Sequence, residues 1–106
     1  MNQFANKSLS LNSRVRHRMV GDEGVIVCMH NGNVIIVNEV GAFIVDQLNN
    51  PISFANLATE ISNYFEVSAD QASHDLNDYL SELKLQDVLI NTDSQADKSN
   101  VINSNV

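Results

Sequence analysis

The chain has 106 residues, a formal net charge of −7 and one cysteine, Cys28. That length makes one domain with tails, and a lone cysteine excludes an intramolecular disulfide and a multi-cysteine zinc site. No apolar run approaches the ~18 residues of a membrane span, and the opening MNQFANKSLSLNSR lacks the apolar centre of a signal peptide, so a cytoplasmic protein with no membrane partner is expected.

Residues 1–13 are polar with scattered apolar positions and are expected to be a flexible N-terminal segment. Arg14 to Met19 alternates, with Arg14, Arg16 and Arg18 on one face and Val15, His17 and Met19 on the other, the pattern of a half-buried strand. Gly21-Asp22-Glu23-Gly24 supplies a turn, and Val25 to Met29 reads as a second, nearly all-apolar strand. Asn31-Gly32 is a strong hairpin signal, because both central residues of a type I′ turn need positive φ. A two-residue loop there would set Cys28 opposite Ile35 and Ile26 opposite Val37. The expected result is a three-stranded antiparallel meander ending in Val34-Ile35-Ile36-Val37.

Helices follow. Asn38 reads as an N-cap with Glu39 in the first turn, and Val40, Phe43, Ile44 and Leu48 make an amphipathic stripe that ends at Asn49-Asn50-Pro51. Ser53 caps a second helix striped by Phe54, Leu57, Ala58, Ile61, Tyr64 and Phe65. Ser68 and Gln71 form a capping box for a third, striped by Ala72, Leu76, Tyr79, Leu80 and Leu83 and running to about Gln86. Val88-Leu89-Ile90 is expected to pack back on the helices, and residues 92–106 to form a disordered polar tail. Strands followed by helices predict an α+β fold: a three-stranded antiparallel meander, then three helices, over residues 14–91.

The charge is uneven. Lys7, Arg14, Arg16 and Arg18 are four of the six basic residues, whereas residues 19–106 set two lysines against all thirteen acids, a net of −11. Such a body repels nucleic acid, whose binders cluster Lys and Arg against phosphate. A basic partner suits it better. No phosphate-binding loop, dinucleotide fingerprint or His-Glu-x-x-His pair is present. His17, His30 and His74 lack metal-ligand spacing, and Cys28 sits in an apolar strand, so neither a catalytic residue, a metal nor a cofactor is expected. Asp75, Asp78 and Glu82 share one side of the third helix, either as a solvated face or as the rim of a site for a basic segment.

The meander leaves two edges. The first carries three arginines, which discourage further pairing. The other, Asn33 to Val37, has no charge, proline or glycine and is a template for another chain. Either a partner's extended segment adds to it, or the protein's own helix, its tail or a second copy covers it.

The motifs resemble those of the PqqD-like family, the precursor-peptide recognition elements of ribosomally made, modified peptides. The family's strand-to-helix "LN-x-x-G-A" turn is matched by Val37-Asn38-Glu39-Val40-Gly41-Ala42. Ser53, Asn56, Leu57 and Ile61 stand for its "T-x-x-E-L/I" helix, and Phe65-Glu66-Val67 for its "F/Y-x-V" segment. Its last helix is matched by Ala72, Asp75, Leu76, Tyr79, Leu80 and Leu83. The chain departs from the pattern at Asp87, ahead of the final apolar residues, where members usually have glycine, and at Pro51-Ile52-Ser53, where the second helix often begins Gly-Thr.

The resemblance implies a winged helix-turn-helix-like fold that binds no DNA. It implies that the leader segment of a precursor peptide adds as a strand beside Asn33, Val34, Ile35, Ile36 and Val37, against a helix wall of Asp75, Asp78, Tyr79 and Glu82. The domain would present that leader to a modifying enzyme such as a radical SAM protein, a cyclase or a leader peptidase, as a monomer or weak homodimer. Two alternatives are a winged-helix nucleic-acid-binding regulator, which the acidic third helix opposes, and a self-associating interaction domain that pairs through its open edge.

Overall fold

The computed structural model describes residues 3–93. Its elements are β1 (Lys7–Leu11), β2 (Val15–Val20), β3 (Glu23–Cys28), β4 (Val34–Val37), α1 (Glu39–Gln47), β5 (Ile52–Ser53), α2 (Phe54–Phe65), α3 (Ala69–Leu85) and β6 (Leu89–Asp93). The fold is α+β. One antiparallel sheet has the order β2-β3-β4 and the other β5-β1-β6.

The first sheet is the expected meander. Val20 pairs with Glu23 around a two-residue tip whose first member, Gly21, has φ +66°, the position at which a type II′ connection calls for glycine. The second hairpin departs from expectation. Ile26 pairs with Ile35 and Gly24 with Val37, so the register is shifted by two residues from a tight Asn31-Gly32 loop. Met29 has left the hairpin, its N–H donating to the carbonyl of Arg14, and the Asn31 side chain accepts from the N–H of Asn33. Gly32 alone takes a positive φ, +80°, so the loop is longer than a type I′ turn. A shift of two preserves the facing of every side chain.

The helix caps follow the sequence. The side chains of Asn38, Ser53 and Ser68 accept from the N–H groups of Gly41, Asn56 and Gln71, three residues on in each case. The Gln71 side chain does not reach back to complete a box; it donates to Asp75. α3 closes with Asp87 in the left-handed region at φ +63°, while the N–H of Val88 returns to the carbonyl of Leu83.

The second sheet was not expected. The N-terminal segment read as flexible contains β1, which pairs with β6 along its whole length and with β5 on its other side. Leu9 and Phe4 are fully buried. Two isolated apolar residues in a polar stretch carry too weak a pattern to announce a strand. Val88 to Ile90 likewise does not simply pack on the helices, because β6 begins at Leu89 and continues through Thr92 and Asp93, inside the stretch expected as tail. The rest of that tail, residues 94–106, lies outside the described residues.

One core joins both sheets to the helices. Ile26 and Cys28 face inward from β3, Ile44 and Leu48 from α1, Leu57 and Ile61 from α2, Leu76 and Leu80 from α3, and all are essentially inaccessible to solvent. Full burial of each such aliphatic side chain contributes about 1.5–3 kcal/mol before the cost of ordering it. Tyr64, assigned to the stripe of α2, instead stands 63% exposed and stacks on Phe43 with ring centroids 4.5 Å apart.

Candidate functional site

β4 is the end strand of its sheet, and among the described residues no strand pairs with its outer side. The N–H of Cys28 donates to the carbonyl of Asn33. Antiparallel pairing alternates, so Ile35 and Val37 also direct their main-chain groups toward β3, while Val34 and Ile36 turn theirs to the open edge. Side chains alternate the other way. Ile35 and Val37 pack against the core, whereas Val34 and Ile36 stand 60% and 57% exposed on the far face of the sheet. Each residue of the strand therefore has a separate use: two hold it in the fold and two offer backbone hydrogen bonds.

α3 meets β4 at Tyr79. The hydroxyl of Tyr79 donates to the Asn38 side chain, which also accepts from the N–H of Gly41. Gly41 is where β4, α1 and α3 meet. A Cβ there would lie 2.7 Å from Cβ of Val37 and 3.0 Å from the Tyr79 ring, so only glycine lets the three come together. At the other end, Asn33 bonds to Cys28, Cys28 pairs with Val15, and the Val15 N–H donates to the carbonyl of Asn12, whose side chain donates to the Asp87 carbonyl just after α3. β4 and α3 thus run in opposite directions, with Val37 beside Tyr79 and Asn33 toward the last turn of the helix.

Of the four expected helix residues, three lie together and one does not. Asp78, Tyr79 and Glu82 line one open depression. Asp75 does not line it and lies one helical turn, about 6 Å, before Tyr79. Asp75, Asp78 and Glu82 each have a neighbour on α3 or at its C-cap. Gln71 donates to Asp75, Gln86 donates to Glu82, and His74 lies 3.6 Å from Asp78 with both side chains well exposed. Pairs this exposed are easily exchanged for a stronger partner. Asn38 and Gly41 join β4 and α1 to α3; their sequence signals are a helix cap and a turn motif, and neither announces the contact with α3.

Among the described residues no group of His, Cys, Asp and Glu converges on a possible metal position, and no helix is long and apolar enough to cross a membrane. Cys28 is buried, and burial first, then the Asp87 carboxylate, push its thiol above the ordinary range, the reverse of an activated nucleophile.

An uncharged open β-edge on a small α+β domain is the feature of a strand-accepting binding module. The chain belongs to the PqqD family: the model described as coenzyme PQQ synthesis protein D matches residues 23–89, from the start of β3 to the first residue of β6. β1 and β2 lie outside that match. Among solved structures, TbiB1 in complex with the TbiA(beta) leader peptide is 21% identical, with a TM-score of 0.69 over 76% of this chain and 93% of that one. Lasso peptide synthetase B1 complexed with the leader peptide is also 21% identical, with a TM-score of 0.66 over 77% and 96%. The tRNA-dependent lantibiotic dehydratase MibB from Microbispora sp. 107891 is 22% identical, with a TM-score of 0.56 over 83% of this chain and 8% of the dehydratase. At these identities the likeness concerns the fold. No curated protein matches the chain.

Proposed function

We propose that this protein is a non-catalytic recognition element that captures the leader segment of a ribosomally synthesised precursor peptide and presents it to a modifying enzyme or leader peptidase in the cytoplasm. The observation that carries the reading is the uncharged open edge of β4, with the main-chain groups of Val34 and Ile36 turned outward and Tyr79 of α3 packed near Val37 at its end. Membership of the PqqD family supports it, as do two structural neighbours that are themselves leader-peptide complexes. The leader adds as a fourth strand along Asn33–Val37. Its inward side chains lie over Ile35, Val37 and the Tyr79 ring, and its Lys or Arg residues meet Asp78 and Glu82, with Asp75 one helical turn before Tyr79. The enzyme served belongs to a class that acts on such precursors: a radical SAM protein, a cyclase or a leader peptidase. A nucleic-acid role gains nothing from α3, whose exposed side bears Asp70, Asp78 and Glu82 against Lys84.

The test is amide hydrogen exchange on ¹⁵N-labelled protein with and without the leader of the precursor encoded beside it. Leader binding should slow exchange at Val34 and Ile36 and leave Ile35 and Val37, already bonded to β3, nearly unchanged. If saturating leader protects neither Val34 nor Ile36, strand addition at β4 is wrong.

A further inference from the structure

The sheet has a second surface that the leader site does not use. On the face away from the helices, cross-strand pairing builds two parallel rows, Arg16–Val27–Val34 and Arg18–Val25–Ile36. Each row runs from a cation on β2 across valine on β3 to an exposed aliphatic on β4. Among the described residues neither arginine has a carboxylate partner, although the chain carries thirteen acids. The guanidinium of Arg16 donates to the carbonyls of Ser13 and Val15, which orients it and leaves its charge uncompensated. Among the described residues of the three strands, the one acid on this face, Glu23, sits at the hairpin tip opposite Val20. An apolar patch flanked by unpaired arginines, on a protein whose remaining surface is acidic, fits a partner with an apolar centre and Asp or Glu at its rim.

We infer that this face docks the modifying enzyme, and that bound leader completes it. The inference rests on the strand-addition reading above. A strand added outside β4 pairs laterally with Val34 and Ile36, and its residues at those two positions point to the same face as they do. The leader therefore lengthens both rows by one side chain, and the enzyme meets a wider surface on the loaded protein than on the empty one. Because such coupling is reciprocal, the enzyme tightens leader binding by the same factor.

The test uses full-length wild type and the R16E/R18E double variant, with the leader and the purified modifying enzyme encoded with the precursor as probes. Both altered residues lie on β2, two strands from the leader edge, so leader affinity should stay within about twofold of wild type. Enzyme affinity should fall by about tenfold or more. Saturating leader should tighten the wild-type protein on the enzyme several-fold. An R16K/R18K variant, which keeps the charge, should retain most of the binding, and urea unfolding of R16E/R18E checks that it folds. The inference is overturned if R16E/R18E binds the enzyme like wild type, if leader leaves enzyme affinity unchanged, or if wild type binds leader but not enzyme. It is also overturned if the face is taken by a second copy, seen as a dimer that R16E/R18E dissolves, or by a lipid surface, seen as arginine-dependent binding to anionic vesicles. Failure of the leader reading shows separately, as a wild-type protein that does not bind leader alone.

Discussion

Gly41 carries more of the site than its size suggests. With no Cβ, it lets Val37 of β4 and Tyr79 of α3 close over the first turn of α1. In Gly41→Ala the added methyl would overlap Val37 at 2.7 Å and the Tyr79 ring at 3.0 Å, and both are held, one by sheet pairing and one by Asn38. Relief of that overlap should cost about 1–3 kcal/mol in urea unfolding. Leader affinity should fall as well, because the displaced residues flank the groove. Cys28 makes a second residue-scale prediction. Burial and Asp87 favour its neutral thiol in the folded state, so the folded pKa lies above the unfolded one. The stability this holds is fully present below the unfolded thiol range, about pH 8.5. It is lost as pH rises through the folded value. Wild type should therefore lose more stability between neutral pH and pH 10 than Cys28→Ala, measured as the difference in urea midpoints. Alkylation of the thiol should be slow until the protein unfolds.

At the scale of elements, β1 and β6 tie the two ends of the described fold together. β1 pairs with β6 and β5, and its central Leu9 is fully buried. Leu9→Ala should destabilise the protein by about 2–5 kcal/mol in equilibrium unfolding, the range for an aliphatic deletion that leaves a cavity. An effect within about 0.5 kcal/mol would mean that the strand adds little to the core. β4 shows why an edge of this kind is kept. Its inward residues, Ile35 and Val37, anchor it, and its outward backbone is free. A charge or proline placed there to block aggregation would also block strand addition. On the strand-addition reading, α3 answers with Asp78, Tyr79 and Glu82, which share one depression.

At the scale of the whole molecule, the division of charge gives the protein two unlike faces. The groove beside α3 is acidic, and the outer face of the β2-β3-β4 sheet is basic and apolar. Attraction between exposed charges is weak and screened, about 0.2–1 kcal/mol per pair. Raising NaCl from about 50 mM to about 500 mM should therefore weaken leader binding by about threefold to tenfold, read by fluorescence anisotropy of a labelled leader. Main-chain pairing and apolar contacts should persist. Complete loss of binding would mean that charge, not strand addition, dominates.

Local chemistry in the sequence was enough for the three helices and their caps. Asn38, Ser53 and Ser68 satisfy orphan N–H groups within three residues of themselves, and the apolar stripes act at helical spacing. The same holds for the order of the meander and for β4 as an uncharged edge, because alternation and the absence of charge are local properties. The long-range pairings depended on tertiary structure. β1 found β6 across most of the chain because burying Leu9 and Phe4 offset the cost of ordering a polar segment, and no local pattern encodes that balance. The second hairpin took a longer loop than Asn31-Gly32 suggests because Met29 bonds to Arg14 and leaves the ladder. That Asp78 and Glu82 share one depression with Tyr79, and Asp75 does not, also depended on packing, in which Gly41 brings Val37 and Tyr79 together.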